Sequence, residues 1–308
     1  MTKLFIGSLT ADESAAFKAA FVRLASILHA SETVLADALD KTVPGSPNDR
    51  ARREKRWDAY EQINPLIFSA EDHVRTILTV FRSGTLPTYA LYTLLRGAAI
   101  AIVRCAYLLD PVLDERMRMA RGLNVRWDNL DEQRKLKGDD KLFAERVALL
   151  EERAKRNGIE VFKKDPNKPA TEFGERRRSD VELFGTYLKP REQEKDGNEG
   201  APFGETAFRF LSGHVHSMLW VMFINAETSP TEESGMASVK FELRFDMFAG
   251  GLGAVLRLHE NNVKSLLTLS GYPVMIWSEA MKTGVEHAKA EFVRLAHAQA
   301  HQKPHETV

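Results

Sequence analysis

The 308-residue sequence contains a single cysteine, Cys105, and has no excess of either charge. One cysteine excludes an internal disulfide and a zinc site built from several cysteines, and it is typical of a reducing compartment, so we expect a cytoplasmic protein. Lysine and arginine together number 43, as do aspartate and glutamate. No overall charge therefore draws the chain to nucleic acid or anionic lipid, and any such contact must be local.

The sequence also lacks an uncharged hydrophobic run of bilayer length. Its longest apolar stretch, 86–109, contains Arg96 and Arg104 near the middle, and each arginine costs roughly 2.5 to 3.5 kcal/mol in a membrane helix. We therefore predict a buried helix of a soluble protein and no membrane partner. The apolar patch at residues 4–6 is too short for the core of a signal peptide.

Apolar residues recur at helical spacing over most of the chain. Phe17, Phe21 and Leu24 return to one face, which predicts a first helix at 10–40. Pro65, Pro87 and Pro111 each suit the first turn of a helix, where a missing N–H costs nothing. The same periodicity predicts further helices at 50–62, 65–81, 87–109, 111–135, 140–157, 205–226, 250–269 and 273–301.

Two parts of the chain depart from this pattern. Residues 164–204 contain four prolines and several glycines around a short apolar piece at 181–188, which predicts an irregular insertion. Residues 239–246 alternate apolar and charged side chains, with the period of a half-buried strand. This segment is either an extended arm on the helices or one member of a hairpin whose mate lies in the insertion.

The fold class predicted is mainly all-α: a helical bundle with an irregular insertion and one short strand-like segment near 237–246. We expect a single helical domain over 1–308. Within it, 1–64 forms an N-terminal helical extension and 65–301 forms the core bundle that carries the insertion 164–204.

One pair of side chains suggests chemistry. On a helix, Arg209 and His216 are seven residues apart and lie within roughly 20° of each other, with Ser212 between them. A guanidinium binds phosphate oxygens and stabilises charge that develops on them, and an imidazole moves a proton near neutral pH. The alternative is structural: a surface or ion-paired arginine, a hydrogen-bonded core histidine, and a serine bonded to the carbonyl one turn back.

The same residues carry a resemblance to a known family. Arg209, six intervening residues and His216 match the Arg-x(4 to 6)-His motif of the HEPN superfamily. Phe208, Ser212 and His216 resemble the aromatic-x3-Ser-x3-His helix of uncharacterised bacterial proteins related to that superfamily, and the region 85–111 is also similar to those proteins.

This resemblance implies a helical bundle and, in active members, metal-independent cleavage of RNA at the interface of a homodimer. It implies catalytic roles for Arg209 and His216, with Ser212 orienting the imidazole ring. RNA is then the partner, no cofactor or metal is required, and the protein is a ribonuclease of the defence or toxin type.

Two other patterns suggest ligands but do not satisfy the requirements of a site. His297 and His301 have the spacing of two metal ligands on a helix, but Pro304 disrupts the helix before His305, so we predict no metal site. Three glycines at 250–253 precede a predicted helix without the third spaced glycine or the Lys-Ser/Thr pair of nucleotide-binding loops, so we predict no cofactor site.

The basic clusters at 50–56 and 176–178 suit either a phosphate backbone or, because acidic residues are interspersed, a solvated network of ion pairs. Arg96 and Arg104 need partners, which are core carboxylates or, for Arg96, the groups around His216.

Three functions remain open: a HEPN-like RNA-directed effector, a non-catalytic helical scaffold or binding protein, and a sensor of a small ligand or nucleotide. Cys105 is interpreted as a core residue.

Overall fold

The computed structural model describes residues 11–189, 203–224, 226–230, 237–241, 243 and 245–300. Eleven helices and two small antiparallel hairpins make up this part of the chain, which confirms the mainly all-α prediction. The helices are α1 (Ala11–Asp40), α2 (Pro47–Arg53), α3 (Asp58–Ser83), α4 (Ala90–Leu109), α5 (Glu115–Lys137), α6 (Asp140–Arg156), α7 (Asp180–Tyr187), α8 (Phe203–Val215), α9 (Leu219–Ile224), α10 (Phe245–Ser270) and α11 (Met275–Ala300).

The four strands form two hairpins. Strands β1 (Val161–Phe162) and β2 (Glu172–Phe173) form the first, and β3 (Ala226–Pro230) and β4 (Ala237–Phe241) form the second. The strand predicted near 237–246 is therefore present as β4, in a shorter form. Its mate is β3 and not part of the insertion, so that alternative was wrong. The sequence of β3 is polar and ends in proline, so no alternating pattern marks it as a strand.

The three helix starts predicted at prolines are wrong. After Pro87, α4 begins only at Ala90. The helices predicted at 50–62 and 65–81 are replaced by α2 and by α3, which continues through Pro65. A proline inside a helix costs about 3 kcal/mol, but Ile63 and Ile67 on either side are fully buried, and their packing offsets that cost. The helix predicted from Pro111 begins instead at Glu115, after Asp114 caps it by accepting a hydrogen bond from the backbone N–H of Met117 at 2.7 Å.

The buried apolar residues form two separate clusters. The larger one, which we call the main bundle, is built by α1, α3, α4, α10 and α11 with help from α7 and α8. Phe17, Phe81 and Phe245 lie at its centre, with the rings of Phe17 and Phe81 4.8 Å apart. The smaller one, the small lobe, joins α5, α6, β1 and β2 around Leu123, Trp127 and Phe173.

The two clusters meet where α5 crosses α3. A Cβ atom added at Gly122 would lie 2.4 Å from the backbone nitrogen of Ala59, so only glycine allows this approach. The fully buried carboxylate of Asp58 lies beside it and pairs with Arg153 of α6 at 2.9 Å and with Arg126 of α5 at 3.5 Å. Burial raises the pKa of Asp58, and the two arginines oppose that effect.

A second contact between the clusters is a network around Arg121 of α5. Its guanidinium donates to Glu175 at 2.7 Å, to the backbone oxygen of Tyr107 at 2.8 Å and to the hydroxyl of Tyr187 at 3.0 Å. The hydroxyl of Tyr107 donates to the same Glu175 carboxylate at 2.7 Å. Tyr187 in turn donates to Asp110. This network, which we call the Arg121 network, links α5 to α4 and to α7.

Helix α4 is the one helix in the described ranges that is long and apolar enough to cross a membrane. It is packed against α3, α8 and α10, and 67% of its most apolar window is buried. This burial is that of a helix packed in the core, as the sequence predicted.

We expect Gly122→Ala to lower the free energy of unfolding by roughly 1 to 3 kcal/mol, because the added methyl group meets the backbone of α3. Gly250→Ala is the matched control, since no described atom lies within 4 Å of a Cβ at this exposed position of α10. The control should gain up to about 1 kcal/mol. Urea denaturation measures both variants. Equal stabilities would contradict the close approach of α5 and α3.

Candidate functional site

Helix α8 lies across α4 and α7, and its first turn fixes its direction. A Cβ atom at Gly204 would lie 1.9 Å from the carbonyl oxygen of Phe184 in α7, so the two backbones touch. Further along α8, Leu211 and His214 are buried. The packed side of the helix therefore faces α4 and α7, and the opposite side faces solvent.

Arg209 and His216 lie on this solvent-facing side. Seven residues bring them within roughly 20° around the axis and about 10 Å apart along it. Both side chains are exposed. Neither forms a hydrogen bond or an ion pair with any part of the chain that the structure describes. Neither side chain therefore contributes to the packing of the core.

Helix α8 ends at Val215, so His216 is the first residue after it, and the helix predicted at 205–226 is in fact two helices. The backbone N–H of His216 still donates to Ser212, but Ser217 has φ 51°, a left-handed conformation. The N–H groups of Ser217 and Met218 donate back to His214 and Gly213 at 3.2 and 2.9 Å, the pattern of a Schellman motif. Serine at this position gives no sequence signal of the kind that glycine gives, so the break was missed.

Ser212, between the two candidate residues, bonds to Arg96 of α4. The Nε atom of Arg96 donates to the Ser212 hydroxyl at 3.2 Å, and the guanidinium carbon lies 5.6 Å from the centre of the Phe208 ring. Within the described residues, Ser212 bonds neither to His216 nor to the carbonyl one turn back. Of the two alternatives for Arg96, the structure therefore places it beside the candidate site, where it adds a second positive charge.

The other arginine of α4 has a different partner. Arg104 makes two hydrogen bonds to Asp180 at the start of α7, at 2.9 and 3.1 Å. This pair joins α4 to α7 and leaves Arg104 outside the face that carries Arg209. The basic cluster at 176–178 also uses its charges nearby, because Arg176 pairs with Glu182 and Arg177 with Asp128.

His214, two residues before His216, points into the core. Its ring stacks on Tyr92 with centroids 4.0 Å apart and planes 8° apart, and Phe210 meets its edge at 4.7 Å. Neither ring nitrogen has a hydrogen-bond partner among the described residues. Burial lowers the pKa of His214 from its ordinary 6.5 to about 4, so the ring stays neutral in the fold near neutral pH.

Trp220 is a further residue at this site, and the sequence analysis did not find it. A Cβ atom at Gly213 would lie 3.3 Å from the Cζ2 atom of the indole, so the ring lies against α8 one turn after Arg209. The side chain of Trp220 is 51% exposed. Its position depends on the turn at Ser217, which the periodicity did not predict.

The remaining candidates have structural roles or lie outside the description. Cys105 is buried, and burial raises the pKa of its thiol, so it is a core residue. The glycines at 250–253 lie inside α10 and form no loop. Over the described ranges, no group of three His, Cys, Asp or Glu side chains could hold a metal ion. His301 and His305 lie outside the described residues.

A polar cleft of about 690 Å³ lies where the main bundle meets the small lobe. Arg104, Asp128, Arg177 and Asp180 line it, and these four side chains form the ion pairs described above. Because these four charges neutralise one another, the two arginines are less available to bind a small anionic ligand.

Comparison of this chain with protein-family models, with curated proteins and with solved structures finds no match. A function for this chain is therefore inferred from the residues of α8 and their neighbours.

We expect the stability of the protein to fall as the pH is lowered from about 6.5 to about 4. In this window an unfolded chain protonates His214 and the folded chain does not, so the unfolded state binds the extra proton. His214→Phe keeps a ring stacked on Tyr92 and removes the titrating group. Urea denaturation at several pH values should show a flatter profile for this variant. An identical profile for both proteins would contradict the burial of His214.

Proposed function

We propose that this protein is a HEPN-like, metal-independent endoribonuclease of the defence or toxin type, with Arg209 and His216 as its working pair. One observation carries the proposal: the two side chains share the exposed face of α8 and bond to nothing in the described chain. A guanidinium and an imidazole with no partner in the described ranges are groups that phosphodiester chemistry can use. The Arg-x(4 to 6)-His spacing supports the same assignment.

The reaction in this proposal is transesterification within the RNA. The 2′-oxygen attacks the neighbouring phosphorus, the bond from phosphorus to the 5′-oxygen breaks, and the products are a 2′,3′-cyclic phosphate and a 5′-hydroxyl. His216 either accepts the 2′-hydroxyl proton or donates a proton to the leaving 5′-oxygen. Arg209 stabilises the negative charge on the phosphorane oxygens.

Arg96 and Ser212 support this face of α8. The Arg96 guanidinium places a second positive charge on the flank of the helix, where it strengthens phosphate binding. The Ser212 oxygen accepts from Arg96 and keeps its own hydrogen to donate. In our proposal Ser212 directs that hydrogen toward the imidazole of His216 or the bound phosphate, and so positions the reacting groups.

Cleavage of a mixture of structured and single-stranded RNA in excess EDTA tests the activity. We expect the wild-type protein to leave 2′,3′-cyclic phosphate ends, and Arg209→Ala and His216→Ala each to lose on the order of 100-fold or more in rate. Arg294→Ala and His297→Ala are matched controls, because these are an exposed arginine and an exposed histidine on α11. The controls should cleave at the wild-type rate.

The same experiment can also overturn the proposal. All five proteins are first shown to be folded by circular dichroism. If the wild-type protein then cleaves no faster than the Arg209 and His216 variants, the protein is not this ribonuclease, and the non-catalytic scaffold becomes the better interpretation.

One imidazole performs one proton transfer at a time, so the second transfer needs water or His216 of a second copy. The resemblance implies a homodimer, and we propose that α8 faces a second copy across the interface. Sedimentation equilibrium should therefore give a dimer mass at micromolar concentration. A monomer at concentrations that support full activity would rule out the composite site while leaving the single-copy mechanism in place.

A further inference from the structure

We propose that Trp220 is a stacking platform for an unpaired base next to the phosphate that Arg209 binds, and that the substrate is therefore single-stranded RNA. This inference rests on the proposed function, and it adds the substrate class and the residue that selects it. The juxtaposition that carries it is a half-exposed indole on the flank of the face where the Arg209 guanidinium and the His216 imidazole have no partner among the described residues.

The indole packs on α8 at a position between the two candidate residues. Its Cζ2 atom packs over Gly213, which is four residues after Arg209 and three residues before His216. Residues three and four apart are neighbours on a helix surface. Trp220 therefore stands on the flank of the face that Arg209 and His216 share, within reach of a nucleotide bound there.

Two contacts hold the Trp220 ring in position. Val221, the next residue, is fully buried, and its Cγ2 atom would lie 2.2 Å from a Cβ at Gly213, so it fills the space that the glycine leaves. The hydrogen bond from Met218 N–H to the Gly213 carbonyl closes the turn that leads to this point. A buried anchor and a closed turn hold Trp220 against α8 while 51% of its side chain stays exposed.

A nucleobase matches both parts of this surface. Every base has a flat π face that stacks on an aromatic ring, and stacking does not depend on sequence. The phosphate attached to it is attracted by Arg209 and by Arg96, which lies beside Ser212. Bases in an A-form duplex are stacked on each other and are not available to a side chain. An exposed indole on the flank of the helix face that carries Arg209 therefore favours a single strand.

Met218 and Leu219 are also exposed, at 48% and 68%. Together with Trp220 they form a small apolar surface that a protein partner or a second copy of the chain would also cover. The cations beside it distinguish the two cases, because a nucleic acid uses the indole and the guanidinium groups together. The RNA affinity of Trp220 variants separates these occupants.

The test is binding of a single-stranded RNA oligonucleotide that carries 2′-O-methyl groups and cannot be cleaved. Fluorescence anisotropy measures its affinity for the wild-type protein, Trp220→Ala, Trp220→Phe and Trp57→Ala. Trp57 is the matched control, since it is 39% exposed and precedes α3. Thermal melts establish that each variant is folded, and Trp220→Phe keeps an aromatic ring in place if the alanine variant melts early.

We expect Trp220→Ala to weaken binding about fivefold or more, Trp220→Phe to keep most of the affinity, and Trp57→Ala to match the wild type. The salt dependence gives a second signature. Arg209→Ala should lower the slope of log Kd against log salt by about 0.7, because one phosphate contact is lost. Trp220→Ala should leave that slope unchanged, since stacking releases no counterion.

Two results would overturn the inference. One is unchanged RNA affinity in Trp220→Ala, including the case in which this variant alters only the oligomeric state, because the indole then contacts protein. The other is equal loss of affinity in Trp220→Ala and Trp57→Ala. The outcome for catalysis is separate: a wild-type protein that binds RNA through Trp220 and cleaves none contradicts the ribonuclease and keeps the platform.

Discussion

The Arg121 network holds α7, the helix on which α8 and the candidate site pack. Its guanidinium is only 7% exposed and bonds at once to Glu175, Tyr107 and Tyr187. Tyr187 ends α7, and α7 receives the backbone of α8 at Gly204. A buried cation requires all its partners, because an uncompensated charge in the interior costs several kcal/mol. These polar contacts hold α7 in place, and α8 takes its direction from its backbone contact with α7.

The fold could be predicted wherever one physical signal dominated. The long helices α1, α6 and α11 follow the apolar periodicity within a few residues. Pro65 was misread because the local cost of proline is visible in the sequence and the burial that offsets it is not. The strand β3 and the turn at Ser217 were missed for a related reason: a polar strand depends on its partner, and a left-handed serine depends on the hydrogen bonds that surround it.

The candidate site could be predicted in part. The spacing of Arg209 and His216 suffices to place them on one face once a helix is assumed, since helical geometry is regular. It does not show which way that face points, and the contrast between buried His214 and exposed His216 comes only from packing. Trp220 lies beside the site because the chain changes direction at Ser217. The resulting surface is open, which suits a polymer better than a small molecule that needs enclosure.

The separation of the two apolar clusters has a consequence for cooperativity. The small lobe has its own core, and α5 joins it to the main bundle through Gly122, Asp58 and the Arg121 network. Regions joined in this way can open as distinct foldons, with free energies below that of global unfolding. This boundary lies in the middle of the chain, and the amide protons of α6 would exchange with solvent at a different rate from those of α4.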